Sequence, residues 1–292
     1  MRRLLLQLDS SRLPSSFDAI VAHDGGADAL LSYGGVTPGD VRDLIHGAIF
    51  TRGPKNLHNT AAFIGGSDMA VGEALLAAAQ KAFFGPLRIS LMLDPNGSNT
   101  TAVAAVMKIL GAVSDVRARR VVVVAGTGPV GTRAAGLLAK AGADVVLTSR
   151  HPEDGARVSA AIEARFGAPV GVVAMPDASE AATALQGATV LLNAGPAGVQ
   201  LVPRQAWAAR PGLEVAVDLN AVPPLGIEGI ESADDGARRD GVTTFGAMGV
   251  GGLKMRVHKA CIARLFERND LVLDAETIAE VGRELARGRT ES

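Results

Sequence analysis

Six consecutive residues, Gly126-Thr127-Gly128-Pro129-Val130-Gly131, have the types and spacing to hold the pyrophosphate of a dinucleotide. Gly126 lets the chain leave a strand through a tight turn, Gly128 lets the backbone come up against the phosphates, and Gly131 lets a helix lie close on that strand. The free N–H groups of the helix N-terminus then face the anion. About twenty residues further on, where a carboxylate would hold the ribose hydroxyls of NAD, stand Ser149, Arg150 and His151. An Arg fork pairs with a 2′-phosphate and a Ser hydroxyl donates to it, whereas a carboxylate would repel it. The pattern therefore predicts NADP rather than NAD.

The flanking elements arrive in the order such a turn needs. Residues 121–124 are four valines and read as a buried parallel strand, 132–141 as an Ala- and Leu-rich helix, and 145–147 as a second strand. A helix over 153–166, a strand over 170–174, a polar helix over 179–185 and strands over 189–193 and 214–218 follow. Repetition of strand, turn and helix predicts a doubly wound sheet. The loops that leave the last two strands carry Asn193, Ala194, Gly195 and Asn220 and fall at carboxyl ends, beside the nicotinamide in this kind of fold.

The first 115 residues alternate strand-like and helical runs and read as an α/β domain of their own. Strands are expected over 4–8, 48–50, 61–64 and 91–93. Thr37, Pro38 and Asp40 open a helix as N-cap, first and third residue, and the Gly65-Gly66-Ser67-Asp68 stretch leads into another that runs to about residue 83. Two polar stretches each allow two readings. His23-Asp24-Gly25-Gly26-Ala27-Asp28 either caps a following helix or offers a carboxylate to a ligand, and Asp94-Pro95-Asn96-Gly97-Ser98-Asn99-Thr100-Thr101 is either an elaborate cap or a ligand loop. The charged joint at 114–120 marks the expected boundary: 1–115 as one domain, 116–255 as the coenzyme domain, with helices in 256–292 packing back on the first. Four glycines between 246 and 252, followed by Lys254, predict backbone close to a ligand with a cation beside it, or an ordinary solvated lysine.

Composition narrows the class. The chain has 292 residues, 48% of them hydrophobic, and a formal charge of −1 without blocks of like charge, so no nucleic-acid or membrane partner is expected. Residues 181–203 are uncharged, but their Gln, Asn, Gly and Pro content marks buried strands and loops rather than a span. The N-terminal apolar run ends at Asp9, too early for a signal peptide. Cys261 is the one cysteine; it reads as core, and a reducing, cytoplasmic setting fits. No triad, dyad or metal cluster stands out.

Several motifs coincide beyond the glycine turn: HDGGAD at 23–28, YGGVTP at 33–38, FTRG at 50–53, FIGGSDMAVGE at 63–73, FFGP at 83–86, LDPNGSNTTA at 93–102, LNAVPPLGI at 219–227 and GVGGLKMRVHKACIARLF at 249–266. With them the chain resembles, over nearly its whole length, the NADP-dependent methylene-tetrahydromethanopterin/methylene-tetrahydrofolate dehydrogenases of methylotrophic bacteria. The resemblance implies a two-domain, homo-oligomeric enzyme whose cleft holds the pterin opposite the nicotinamide. A hydride leaves the methylene carbon for C4 of NADP, and the methenyl cation that remains is shared by two nitrogens. No general base is then required, and catalysis is positioning plus electrostatic tuning. Carried onto this chain, Asp24, Asp94, Asn96, Ser98 and Thr100 fall on the pterin side and Lys254 tunes the reacting centre. Bifunctional folate dehydrogenase/cyclohydrolases use a Tyr with a Lys four residues later; here Tyr33 is followed by Thr37, which implies no cyclohydrolase activity. The alternatives are a shikimate- or amino-acid-type dehydrogenase on the same plan, active without a pterin, and a non-catalytic NADP-binding sensor.

Overall fold

The computed structural model describes residues 1–117 and 119–287; Ala118, within the expected joint, and residues 288–292 lie outside the described residues. In chain order the elements are β1 (Leu4–Asp9), α1 (Ser16–Asp24), β2 (Ala29–Tyr33), α2 (Pro38–Ile49), β3 (Thr60–Gly65), α3 (Met69–Lys81), β4 (Ser90–Leu93) and α4 (Ser98–Ala112). Then come β5 (Arg120–Val124), α5 (Pro129–Lys140), β6 (Asp144–Ser149), α6 (Pro152–Phe166), β7 (Gly171–Ala174), α7 (Ala181–Ala184), β8 (Val190–Asn193), α8 (Arg204–Trp207) and β9 (Val215–Asp218). The chain ends with β10 (Asp235–Arg239), β11 (Val242–Phe245), α9 (Ala247–Leu265), β12 (Val272–Leu273) and α10 (Ala275–Arg287). Backbone contacts divide it into two compact units, Met1–Thr100 with Met255–Ser292, and Thr101–Lys254.

The first unit is built on a five-stranded parallel sheet of order β12-β4-β3-β1-β2. Strands β3 and β4 are buried at every position, which is why they read as continuous apolar runs rather than alternating ones. Leu6, Leu8, Ala62, Ile64, Leu91 and Leu93 pack with Val41 and Ile45 of α2 and Leu75 of α3 in one cluster. On the other face, Phe63 stacks on His258 of α9 with ring centroids 5.5 Å apart. The α2 N-terminus follows its capping residues: Asp40 Oδ2 accepts from the Thr37 backbone N–H at 2.9 Å and from its hydroxyl at 2.6 Å. Asp68 caps α3 by accepting from the N–H groups of Ala70 and Val71.

The second unit carries a seven-stranded sheet, β10-β11-β9-β8-β5-β6-β7, parallel except for the edge hairpin β10/β11. Val122, Val124, Leu191 and Ala216 pack with Trp207, Ile227 and Ile230, and the Trp207 indole donates to Glu228 O at 2.9 Å. Where α5 meets α6, a Cβ on Gly136 would lie 2.3 Å from the Phe166 ring, so only glycine permits this spacing.

Two expectations are corrected. Residues 48–50 form no strand: they close α2, whose apolar face places Ala48 and Ile49 in the core. The acidic turn at 23–28 caps no following helix, because it joins α1 to strand β2, where Asp28 Oδ2 accepts the Arg3 N–H at 2.7 Å. The glycine-rich stretch before Lys254 lies within α9 from Ala247 onward. Two of its four glycines serve packing: a Cβ on Gly246 would come within 2.0 Å of Glu231 O, and one on Gly249 within 2.0 Å of Asp234 O, whereas nothing lies within 4 Å of the Cβ positions of Gly251 and Gly252.

Candidate functional site

Strand β5 feeds the glycine turn directly. Ala125 turns through the left-handed region at φ 51°, and its N–H donates to Thr148 Oγ1 at 3.0 Å, so the end of β6 fixes the turn's entry. A Cβ on Gly126 would lie 2.6 Å from Leu147 Cδ2, and one on Gly131 would lie 2.7 Å from Gly126 Cα. Gly128 differs: the neighbour nearest to its Cβ position is Ala125 O at 4.0 Å, leaving open space above the turn. Gly128 is also the N-cap of α5, whose first turn contains Pro129 and Val130 and no acidic residue. Close packing at two glycines and an open third, at the start of a twelve-residue helix, is a cradle that fits a pyrophosphate.

At the end of β6, Ser149 is buried and its hydroxyl donates to His151 O at 2.7 Å. Arg150 is exposed, and among the described residues no carboxylate pairs with it. His151 is the N-cap of α6, and of the two acidic residues in that first turn, Asp154 is paired with Arg157 at 3.1 Å. Arg150 is therefore left without a carboxylate partner among the described residues, while the Ser149 hydroxyl is committed to its own turn.

Asn193 and Asn220 sit at the carboxyl ends of β8 and β9, where sequence places them, but both are buried and bonded inward. Asn193 Nδ2 donates to Asp218 Oδ1 at 2.8 Å, and Asn193 Oδ1 accepts the Gly195 N–H at 3.2 Å. Asn220 Oδ1 accepts from Val222 and Gly198, and its Nδ2 donates to Pro196 O and Pro224 O. These side chains hold the loops together rather than reach out of them. Sequence reasoning missed Asp218, although a carboxylate closing the apolar run Val-Ala-Val-Asp was visible. Burial pushes its carboxyl above the usual range, against the hydrogen bonds from Asn193, Ile227 and Asn220.

In the first unit, the carboxyl edge of the sheet gathers residues 94–100. Asp94 is fully buried: Oδ1 accepts the N–H groups of Asn99 and Thr100 at 2.8 and 3.0 Å, and Oδ2 accepts the Thr100 hydroxyl at 2.6 Å. Ser98 Oγ donates to Pro95 O at 2.8 Å. Asp94, Ser98 and Thr100 thus tie the loop to the start of α4, and Asn96 is the exposed group at its tip, with φ 52°. Asp94→Ala would leave those donors buried without an acceptor, costing about 3 kcal/mol, or roughly 6–12 °C in Tm. A calorimetric scan checks this; an unchanged Tm with a raised pterin KM would instead move Asp94 to the substrate.

Asp24 does not join that group. Helix α1 runs back across the sheet and ends where β2 begins, so Asp24 lies at the opposite, amino edge, paired with Lys259 at 2.7 Å. The same crossover brings the first turn of α1, with half-exposed Phe17, to the carboxyl edge, near the Ser10 and Ser11 loop that leaves β1. None of these three was singled out from sequence, since position in a crossover is not local information. Lys254 is half-buried on α9, and His258, one turn on, is fully buried. Cys261 is also buried, which pushes its thiol well above the usual range and leaves it inert as a nucleophile. Among the described residues no cluster of His, Cys, Asp and Glu could hold a metal, and no helix is long and apolar enough to cross a membrane.

Residues 16–96 match the family model described as methylene-tetrahydromethanopterin dehydrogenase, N-terminal. A protein of Methylorubrum extorquens named bifunctional protein MdtA is 46% identical over 286 residues, covering 98% of this chain and 99% of its own. The NAD(P)-dependent methylenetetrahydromethanopterin dehydrogenase of the same organism is 34% identical over 296 residues, again 98% and 99%. Among solved structures, shikimate 5-dehydrogenase from Listeria monocytogenes superposes with a TM-score of 0.55 at 12% identity, over 96% of each chain. Quinate dehydrogenase from Corynebacterium glutamicum gives 0.51 at 18%, over 97% of this chain and 99% of its own. At those identities the likeness is one of fold.

Proposed function

The chain belongs to the methylene-tetrahydromethanopterin dehydrogenase family, and from that membership we propose that it moves a hydride from a methylene-tetrahydropterin to NADP. The end-to-end relation to a methylenetetrahydromethanopterin dehydrogenase carries the reading. NADP, when bound, supplies the hydride acceptor. Gly126, Thr127, Gly128 and the α5 N-terminus at Pro129, Val130 and Gly131 hold the pyrophosphate, and Arg150 pairs with the 2′-phosphate. Backbone around Ala194 and Gly195 lines the nicotinamide, and Asn96 at the loop tip contributes to the pterin side.

The substrate is methylene-tetrahydromethanopterin, methylene-tetrahydrofolate or both, which share the reacting imidazolidine ring. The test is steady-state formation of the methenyl product from each, with NADP and NAD compared; no turnover with either pterin would sink the reading. Lys254 tunes the reacting centre, so Lys254→Ala is expected to lower kcat on the order of tenfold, about 1.4 kcal/mol. Full turnover in that variant would remove it from the site.

The enzyme has no cyclohydrolase activity. In support, Tyr33 ends an edge strand, and Thr37, four residues on, donates its hydroxyl to Asp40 instead of supplying an amine. One relative is called bifunctional, which makes methenyl hydrolysis by the pure protein the deciding assay. A cytoplasmic homo-oligomer completes the reading: exposed Leu13, Ile20, Phe50 and Phe84 are surface that self-association would cover.

A further inference from the structure

Two loops leave neighbouring parallel strands of the second unit, residues 194–201 after β8 and 219–227 after β9, at the edge where a nicotinamide sits in such sheets. Neither contains regular secondary structure, yet one buried carboxylate ties them together. Asp218 is 1% exposed. Its Oδ1 accepts from Asn193 Nδ2 at 2.8 Å and from the Asn220 N–H at 3.1 Å; Oδ2 accepts the Ile227 N–H at 2.9 Å. The chain crosses directly over this pair at Gly226, where a Cβ would fall 1.8 Å from Asn193 Nδ2 and 2.8 Å from Asp218 Oδ1. Gly226 O in turn accepts the N–H groups of Leu201 and Val202.

We propose that Asp218 is a positioning residue for the nicotinamide half of the coenzyme, acting by locking the β8 and β9 loops into one rigid wall. The proposal rests on the NADP dehydrogenase reading. One donor from the end of β8 and two from opposite ends of the β9 loop converge on a single side chain, and a charged acceptor makes each bond stronger than a neutral one would. Asparagine at 218 keeps the size but presents an NH2 to donors. It must oppose either Asn193 Nδ2 or a backbone N–H, so the wall loosens without a cavity. The adenosine half is held elsewhere, at Arg150 and the glycine turn, and does not feel the change.

The experiment compares wild type with Asp218→Asn in two measurements: kcat/KM for NADP, and the Kd of 2′,5′-ADP, a fragment with the 2′-phosphate but no nicotinamide. The expected result is at least a tenfold fall in kcat/KM with 2′,5′-ADP binding within twofold of wild type. The reciprocal pair Asn193→Asp with Asp218→Asn restores a donor facing an acceptor, and is expected to recover part of that loss. Unchanged kcat/KM, or an equal loss of 2′,5′-ADP binding, would overturn the proposal, the latter by showing a role in the whole unit. Should Asp218→Asn not fold, Asn193→Ala removes the side-chain donor to Asp218 while leaving its backbone donors Asn220 and Ile227, and is read in the same way. Wild-type turnover separates the two levels: its absence rejects the dehydrogenase reading, not the lock.

Discussion

Gly131→Ala is expected to raise the KM for NADP at least a hundredfold while leaving the protein folded. The added methyl would lie 2.7 Å from Gly126 Cα and 2.9 Å from Gly126 O, both backbone atoms that no side-chain rotation can move away. Helix α5 or the turn must therefore shift by several tenths of an ångström. The N–H groups aimed at the pyrophosphate shift with it. Each charge-assisted hydrogen bond is worth about 1.5–3 kcal/mol, so misplacing two exceeds the ~2.7 kcal/mol that a hundredfold requires. A Gly128→Ala control separates packing from ligand approach. Its Cβ meets no protein atom nearer than 4.0 Å, so apo stability stays as in wild type, and any lost affinity comes from the ligand. Calorimetry of NADP binding with the apo Tm checks both; wild-type affinity in Gly131→Ala would remove the turn from the site.

Arg150→Ala is expected to cost ten- to a hundredfold in kcat/KM for NADP and almost nothing for NAD. Arg150 is exposed beyond β6, and among the described residues no carboxylate neutralises it. An unpaired guanidinium at this position gains a partner only when a 2′-phosphate arrives. A forked pair of that kind is worth about 1.5–3 kcal/mol, and an exposed one falls towards the lower end. Because the interaction is a charge pair near solvent, the preference should shrink as salt is added. Equal losses with the two nucleotides would mean that Arg150 holds the protein or the pyrophosphate, not the phosphate that distinguishes them.

Local signals carried far in this chain. The four valines of β5, the glycine spacing and the caps at Thr37 and Asp68 depend on neighbours a few residues away, so pattern alone located them. The edge elements escaped. Strand β2 has only the short run Ala29-Leu30-Leu31 before Ser32 and Tyr33, is half-exposed and follows a glycine turn, and β10 carries Asp, Gly and two Arg with no apolar run at all. Residues 48–50 looked like a strand because three apolar residues ending a helix cannot be told from a short strand by periodicity.

The sequence by itself determined what rests on contiguous residues: a glycine turn between a buried strand and a helix, an Arg rather than a carboxylate after the next strand, and two α/β halves. Only the tertiary structure decided which polar side chains face outward and which face one another. Asp94, Asn193 and Asn220 have the types of ligand residues, but the nearest donors and acceptors belong to the protein, some from strands 25 residues apart. Asp24 shares a motif with a glycine turn, yet the helix crossover sends it to the far edge of the sheet. The physical reason is common to all of them. A buried polar atom must find a partner when water is removed, and the fold alone determines whether that partner is a ligand or another residue of the chain.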